Sequence, residues 1–358
     1  MNNLTLLIDF NWLLMSRMSV LIKGFEKSNP EIVKEQTSKE LEDLLAKSIN
    51  ITLNRFKCID NIVIVSDGGS WRKQLPIPKS LKDITYKGNR SQAYELDWNY
   101  IYGASNNVFN RCKDLGITCT QHFNIEGDDW IWYWSRRLNM DGVNTIIWSS
   151  DNDLKQLVQV DKNTQKFTVW YNDKAGLFLP SELDQPFDEY EFFMRFEYSS
   201  PVLESIKSSL KNKFNYINPN DIVLSKVLCG DAGDNIKSIV RYTKNNRTYR
   251  FSEKDYETLV KELNIKTIND LLESKQKVSK YIISHKKFMP YKFDEEMVNE
   301  MFDYNVKLVW LNENTIPESL ISSMNQYEYK IYDLSYIRDN YKVLCGEDDE
   351  IKNIFESF

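Results

Sequence analysis

Long apolar runs are missing from this sequence. None approaches the roughly 20 residues that a membrane-spanning helix needs, so a helical membrane protein is not expected. The opening MNNLTLLIDFNW has no basic residue ahead of its apolar stretch and carries Asp9 inside it, which makes a poor signal peptide. Cysteine is scarce: five, at positions 58, 112, 119, 229 and 345, odd in number and without a CxxC pair. That usage speaks against a disulfide frame or a zinc site and for reduced thiols in a cytoplasm. Histidine is scarcer still, with His122 and His285 alone, which leaves little room for imidazole metal sites or triads; His122, within ITCTQHF, reads as a structural strand residue. The glycine-rich phosphate loops GxxxxGK[ST] and GxGxxG are both missing.

What is there is a chain of 358 residues, 42% hydrophobic and 27% charged. It reads as a soluble globular protein with one large domain or two to three smaller ones. The net charge of −6 argues mildly against a nucleic-acid partner, but distribution outweighs the sum. Between Ser70 and Glu95 stand six cations (Arg72, Lys73, Lys79, Lys82, Lys87, Arg90) against two acids. Between Ile236 and Arg250 stand five (Lys237, Arg241, Lys244, Arg247, Arg250) and no acid. Two basic stretches in an acidic chain predict a polarised surface.

The hydrophobic pattern alternates between strand and helix. LTLLIDF (4–10), NIVIVSD (61–67), ITCTQHF (117–123) and VNTIIW (143–148) are buried-type strands. Residues 36–57, 96–116 and 127–140 read as helices, and DLKQLV opens another. KFTVWYND and GLFL predict a hairpin, and 180–200 an acidic, aromatic insertion. From Asn218 a helical region is expected. This is the pattern of a parallel, twisted α/β sheet flanked by helices, in which ligands bind beyond the carboxyl ends of the strands.

Acids gather at those ends. Asp9, Asp67, Asp151 and Asp153 close three of the strands, and Glu126, Asp128 and Asp129 follow the ITCTQHF strand. LCGDAGDNI adds Asp231 and Asp234, at i and i+3 and so on one face of a helix start. A single acid such as Asp129 or Asp231 at a helix start is ordinarily a cap. Nine together repel one another, and divalent cations resolve that repulsion. Hard oxygen donors without His or Cys select Mg²⁺ or Mn²⁺, and two such ions suit phosphodiester hydrolysis. A calcium loop opening at Asp151 fails on Lys155, Gln156 and Lys162, where an acid or amide, Gly and Glu are required. A haloacid-dehalogenase phosphatase fails on Asn11, where a second Asp is required.

LLIDF, IVIVSDGGSWRKQL, TYKGNR, IEGDDW, WSSDNDLKQL and LCGDAGDNI occur in the order seen in the flap endonuclease, or 5′-nuclease, superfamily. Over residues 4–240 the chain resembles that family, and most nearly its phage-type ribonuclease H (5′–3′ exonuclease) branch. The resemblance implies a PIN-like nuclease core over 1–200, with a helical arch at about 70–100 that receives a single-stranded 5′ end. It implies a helix–hairpin–helix-like duplex-binding region over 201–265 and leaves a C-terminal helical extension over 266–358. Asp9, Asp67, Glu126 and Asp128 would line a first metal site. Asp129, Asp151, Asp153, Asp231 and Asp234 would complete or neighbour a second. Two Mg²⁺ ions are implied, with Mn²⁺ substituting. Lys87 and Arg90 would contact the scissile phosphate, with Arg72 and Lys73 as phosphate contacts nearby.

One departure concerns IKSIVRYTKNNRTYRF, which has no glycine where many members place glycine-rich turns and a potassium site. Lys237, Arg241, Lys244, Arg247 and Arg250, with Asn245 and Asn246 at the turn, are expected to grip duplex instead. The implied function is cleavage near 5′ ends, at flaps, nicks, junctions and in RNA–DNA hybrids, for primer or flap removal in phage-type replication. The implied protein is a monomer in the cytoplasm (the host's, if phage-encoded), with a sliding clamp or single-strand-binding protein as partner. The end DDEIKNIFESF offers only Phe355 and Phe358 toward a clamp peptide. The rivals are a non-catalytic structure-selective DNA-binding protein and a PIN-like ribonuclease; the latter would lack the arch and the GDAGDN region.

Overall fold

The structure, a computed structural model, describes residues 4–25, 30–81, 84–89, 98–181, 204, 208, 214–245, 247–291 and 293–346, with the backbone alone at 22–25 and 30–37. It divides into two compact units, each discontinuous in sequence. The first comprises 1–69, 94–217 and 322–358, the second 70–93 and 218–321. The divisions expected at 200 and 265 follow chain order and so miss this interleaving. Arg90, most of the 180–200 insertion, and Phe355 and Phe358 lie outside the described residues.

The first unit is built on one sheet. Its strands are β1 (Leu4–Asp9), β2 (Asn61–Val65), β3 (Thr118–Thr120), β4 (Asn144–Trp148), β5 (Gln159–Val160), β6 (Phe167–Asn172), β7 (Gly176–Pro180) and β8 (Phe214–Ile217). The order is β3-β2-β1-β4-β6-β7-β8, with β5 on β6. Pairs β1–β2, β1–β4, β2–β3 and β4–β6 are parallel, as continuous apolar strands require when helices cover both faces. The expected hairpin is the antiparallel β6–β7 pair at the sheet's far side. Helices α1 (Phe10–Phe25), α2 (Pro30–Arg55), α3 (Trp98–Asp114) and α4 (Gly127–Met140) connect the parallel strands. Leu41, Leu45, Ile49 and Leu53 of α2 join β1 and β2 in the core.

Three expectations are corrected here. The third strand stops at Thr120, so His122 stands in the loop that follows. DLKQLV is a 3₁₀ turn at Asn152–Leu157, shorter than the helix its composition suggested. The expected C-terminal helical extension divides. Its helices up to Ile321 belong to the second unit, while 322–346 returns to the first. There Asn61 and Thr118 bond the backbone of Lys330, and Tyr327 packs edge-on against Trp130 at 4.8 Å.

The second unit packs helices Pro219–Cys229, Glu253–Glu262, Ile268–Glu273, Lys275–Ser284 and Glu295–Val309 around their own apolar core. The described part of the expected arch is a short 3₁₀ turn (Trp71–Gln74), loops and, at 98–100, the start of α3; Leu81 and Tyr86 of the loops are buried in the second unit's core. The stretch expected to be helical after GDAGDN is an antiparallel hairpin, β9 (Arg241–Lys244) and β10 (Arg247–Arg250), in which the strand formers Tyr242 and Thr243 pair across with Tyr249 and Thr248. Asn245, with φ +51, lies at its turn, as expected.

Candidate functional site

Parallel register sets the first unit's acids on one edge. Asp9, the last residue of β1, lies level with Val65 of β2, and Ile8 lies level with Trp148 of β4. Asp67 and Asp151 therefore follow the adjacent strands two and three residues beyond their ends. Asp9 is 7% exposed. Its carboxylate accepts the Trp12 N–H at 3.0 Å and the Ser149 hydroxyl at 2.7 Å. Burial pushes its pKa up to about 7; those two hydrogen bonds oppose the rise, and the charges of Asp67 and Asp151 add to it. A carboxylate buried beside two others is costly unless a cation compensates.

The neighbouring acids are fixed by local hydrogen bonds. Asp151 accepts the Asp153 N–H at 2.9 Å, and its own N–H meets Ser149 Oγ at 2.9 Å. Asp67 accepts the Gly127 N–H at the start of α4 and the Asn11 amide at 3.0 Å. Asn11 Oδ1 in turn accepts from the Asp67 N–H at 3.0 Å and the Ser66 hydroxyl at 2.9 Å. At Gly68 a Cβ would fall 1.9 Å from the His122 carbonyl oxygen, so only glycine lets this loop pass. Asn11 and Ser149 were not predicted. Asn11 stands where a haloacid-dehalogenase phosphatase needs its second Asp, and it serves to hold Asp67.

Asp129 departs from its expected role. It is fully buried, and its carboxylate accepts the Glu126 N–H at 3.3 Å, closing a capping box on α4. It serves as the N3 partner of that box, with Glu126 as the N-cap residue, a structural part that an acid in the first helical turn often plays. Glu126 is buried and Asp128 and Asp153 half-buried. The donor set along this edge is all carboxylate oxygen, which suits a hard divalent cation. Yet among the described residues no group of three or more Asp, Glu, His or Cys is gathered closely enough to hold an ion. The residues fit such an ion in chemistry and in the desolvation of Asp9, while their oxygens stand apart.

Asp231 and Asp234 belong to the second unit and are engaged there with lysines. Lys226 pairs with Asp231 at 2.5 Å. Burial pushes the Asp231 pKa up, but the Lys226 hydrogen bond and charge and the Gly233 N–H outweigh it and hold it below the usual value. Lys87 Nζ lies 3.8 Å from Asp234 Oδ2, which also accepts the Tyr86 hydroxyl at 3.2 Å. Lys226 was missed; five residues ahead of Asp231, it lies about one and a half helical turns back, a spacing with no obvious pairing signal.

Among the expected phosphate contacts, Lys73 is exposed, but Arg72 is 2% exposed, with its guanidinium 4.6 Å from the Trp71 ring centroid. A guanidinium so enclosed belongs to the interior, which removes Arg72 as a surface contact. On the hairpin, Arg241 and Arg250 stand directly opposite, a like-charge pair that weakens a ribbon. Lys244 and Arg247 are also opposite, with Tyr242 stacked on Tyr249 at 4.9 Å and on Tyr291 at 3.3 Å. None of Lys237, Arg241, Lys244, Arg247 and Arg250 has a carboxylate partner among the described residues.

No family model matches the chain, and no curated protein does. Solved structures do. The bacteriophage T5 D15 protein co-crystallised with metal ions matches with a TM-score of 0.53 at 12% identity, over 90% of this chain and 97% of that one. The chain has the 5′-nuclease fold. T5 5′-exonuclease with bound divalent zinc matches at TM-score 0.51 and 12% identity over 90% and 97% of the two chains. The T5 D15 flap endonuclease in a pseudo-enzyme-product complex with DNA and metal ions matches at 0.53 and 13%, over 96% and 100%. At such identities the likeness is one of fold. No helix among the described residues is long and apolar enough to cross a membrane.

Proposed function

We propose that this protein is a divalent-metal-dependent, structure-specific 5′ nuclease, hydrolysing phosphodiesters at 5′ ends, flaps and RNA–DNA hybrids in primer or flap removal. The observation that carries this reading is Asp9, a desolvated carboxylate at a strand end, raised to about 7 with the charges of Asp67 and Asp151 beside it. A fold gains no stability from such a grouping; a cation-dependent hydrolase needs it.

Asp9, Asp67, Glu126, Asp128, Asp151 and Asp153 would hold Mg²⁺, with Mn²⁺ substituting. When bound, the ion supplies a water of lowered pKa and charge compensation for the phosphodiester. Ser149 and the Trp12 N–H orient Asp9, and Asn11 orients Asp67, so each oxygen keeps one direction. Lys87 stabilises charge that grows on the phosphate oxygens. The hairpin cations, which have no carboxylate partner among the described residues, and Lys73 bind duplex phosphates and release counterions on doing so.

The test is a panel of a 5′-labelled flap, a nicked RNA–DNA hybrid and a blunt duplex, each with Mg²⁺ or a chelator. Cleavage confined to structured 5′ ends and abolished by the chelator is expected. Binding without cleavage under every metal condition would instead make the protein a structure-selective DNA-binding protein.

A further inference from the structure

Lys87 stands in a turn that does not suit a lysine. The Gly88 N–H bonds the Thr85 carbonyl at 3.0 Å, closing a four-residue turn, and Lys87, its third residue, has φ +55. That position in such a turn favours Gly or Asn, and a long side chain there is strained. A Cβ at residue 88 would lie 2.2 Å from Thr85 Oγ1, so the strain cannot be relieved by exchanging the two residue types. Something outside the turn must hold it.

The 231–235 loop of the same unit does so, through hydrogen bonds between segments about 150 residues apart in sequence. The Lys87 N–H bonds the Asp234 carbonyl at 2.8 Å, and Asn89 Nδ2 bonds the Ala232 carbonyl at 2.9 Å. In return, Asn235 Nδ2 donates to the Thr85 carbonyl at 2.8 Å. The orientation of that amide is fixed chemically, because Asn235 Oδ1 accepts from the Lys237 ammonium, which can only donate. Asn235 itself has φ +60, a conformation Asn and Asp tolerate. Its loop is closed from behind by the reciprocal backbone bonds of Asp231 and Ile236, at 2.9 and 2.7 Å. The Lys87 ammonium is thereby confined 4.9 Å from the Tyr86 ring and 3.8 Å from the Asp234 carboxylate.

We propose that Asn235 is a positioning residue: its side-chain amide clamps the strained 85–88 turn and so sets where Lys87 presents its charge to the substrate phosphate. The inference rests on the reading of Lys87 given above. A misplaced group of this kind costs rate far more than affinity.

The variant that tests it is Asn235→Asp, which keeps the tolerated backbone conformation and the Lys237 contact but replaces the donor with an oxygen facing the Thr85 carbonyl. Single-turnover cleavage of a 5′ flap should slow by about tenfold to a hundredfold. Flap affinity should stay within about twofold, and the Mg²⁺ concentration for half-maximal rate should not move. In a Lys87→Ala background Asn235→Asp should cost nothing further. Circular dichroism checks folding; if Asn235→Asp is unfolded, Asn89→Ala, which removes a single bond from the other side of the clamp, should give the same pattern at smaller size. Full additivity with Lys87→Ala, or an unchanged rate in Asn235→Asp, overturns the proposal. An unchanged rate in Lys87→Ala itself overturns the reading of Lys87, and the clamp with it.

Discussion

The two units place their charged groups by opposite means. In the first, acids ride on the ends of parallel strands, and the register that puts Asp9 level with Val65 also aligns Ser149 and Asp151 beside it. In the second, cations ride on a turn held by side-chain bonds between segments far apart in sequence and on a two-stranded ribbon held by its own ladder. Strand ends are stiff because the whole sheet supports them; a turn is only as stiff as its few clamps. The contrast also shows in charge. The first unit leaves Asp9 desolvated and under the charges of Asp67 and Asp151, whereas the second pairs Asp231 and Asp234 with Lys226 and Lys87 and leaves the hairpin cations without carboxylate partners among the described residues.

The largest expected effect belongs to the acid edge. Asp153→Asn should lower single-turnover flap cleavage by roughly a thousandfold, while affinity for the same flap in a gel shift stays equal or rises as repulsion falls. Near-normal turnover would mean that the acids serve the fold alone. Next in size, Lys87→Ala should cost about a hundredfold in single-turnover rate with a smaller loss of affinity; a loss confined to affinity would make Lys87 a plain phosphate contact and blur the contrast between the units.

The hairpin should give a smaller effect of a different kind. Replacing Arg241 and Arg250 together by Ala should flatten the slope of log affinity against log salt by about 1.8, or about 0.9 for each phosphate no longer neutralised. Affinity should also be indifferent to exchanging K⁺ for Na⁺, since side chains grip the duplex. A K⁺ preference would indicate that backbone carbonyls hold it instead.

The smallest effect is one of stability. The Asp9 carboxyl is raised to about 7 in the fold, above its ordinary unfolded value of about 3.9. Between those two pH values the folded state holds a proton that the unfolded state has released, so metal-free stability falls as pH rises through that window. Asp9→Asn removes the penalty and should raise the metal-free melting temperature at pH 8 by roughly 2–4 °C for each 1 kcal/mol relieved, with no gain at pH 4. A thermal melt at both values checks this, and a lower melting point at pH 8 would contradict it.

Much of the first unit was legible in the sequence, and less of the second. Apolar runs that end in Asp announce buried parallel strands and their ligand edge at once, because burial on both faces and the strand-end rule are local signals. What those signals could not separate was ligand from cap. Asp129 and its neighbour Asp128 look alike in sequence, and only the buried bond to Glu126 tells them apart. Arg72 misled for a similar reason: a basic residue beside Lys73 reads as surface, yet a guanidinium against Trp71 can be interior. The hairpin was misread as part of a helical region because GDAGDN leads into helices in the family it resembles. The Tyr-Thr and Thr-Tyr pairs that favour a ribbon lie within a few residues and were outweighed. Lys226, Asn235 and Asn11 act through partners that no local spacing reveals.

Whether the first unit's carboxylate edge takes up a divalent cation is the central question, and calorimetric titration of Mn²⁺ into the DNA-free protein tests this without reference to catalysis. Saturable binding, competed by Mg²⁺ and weakened at least about tenfold in Asp67→Asn, is the predicted result. Uptake that is undiminished in Asp67→Asn and Asp151→Asn alike, or no uptake at millimolar ion, would contradict the claim that these acids are gathered for a metal.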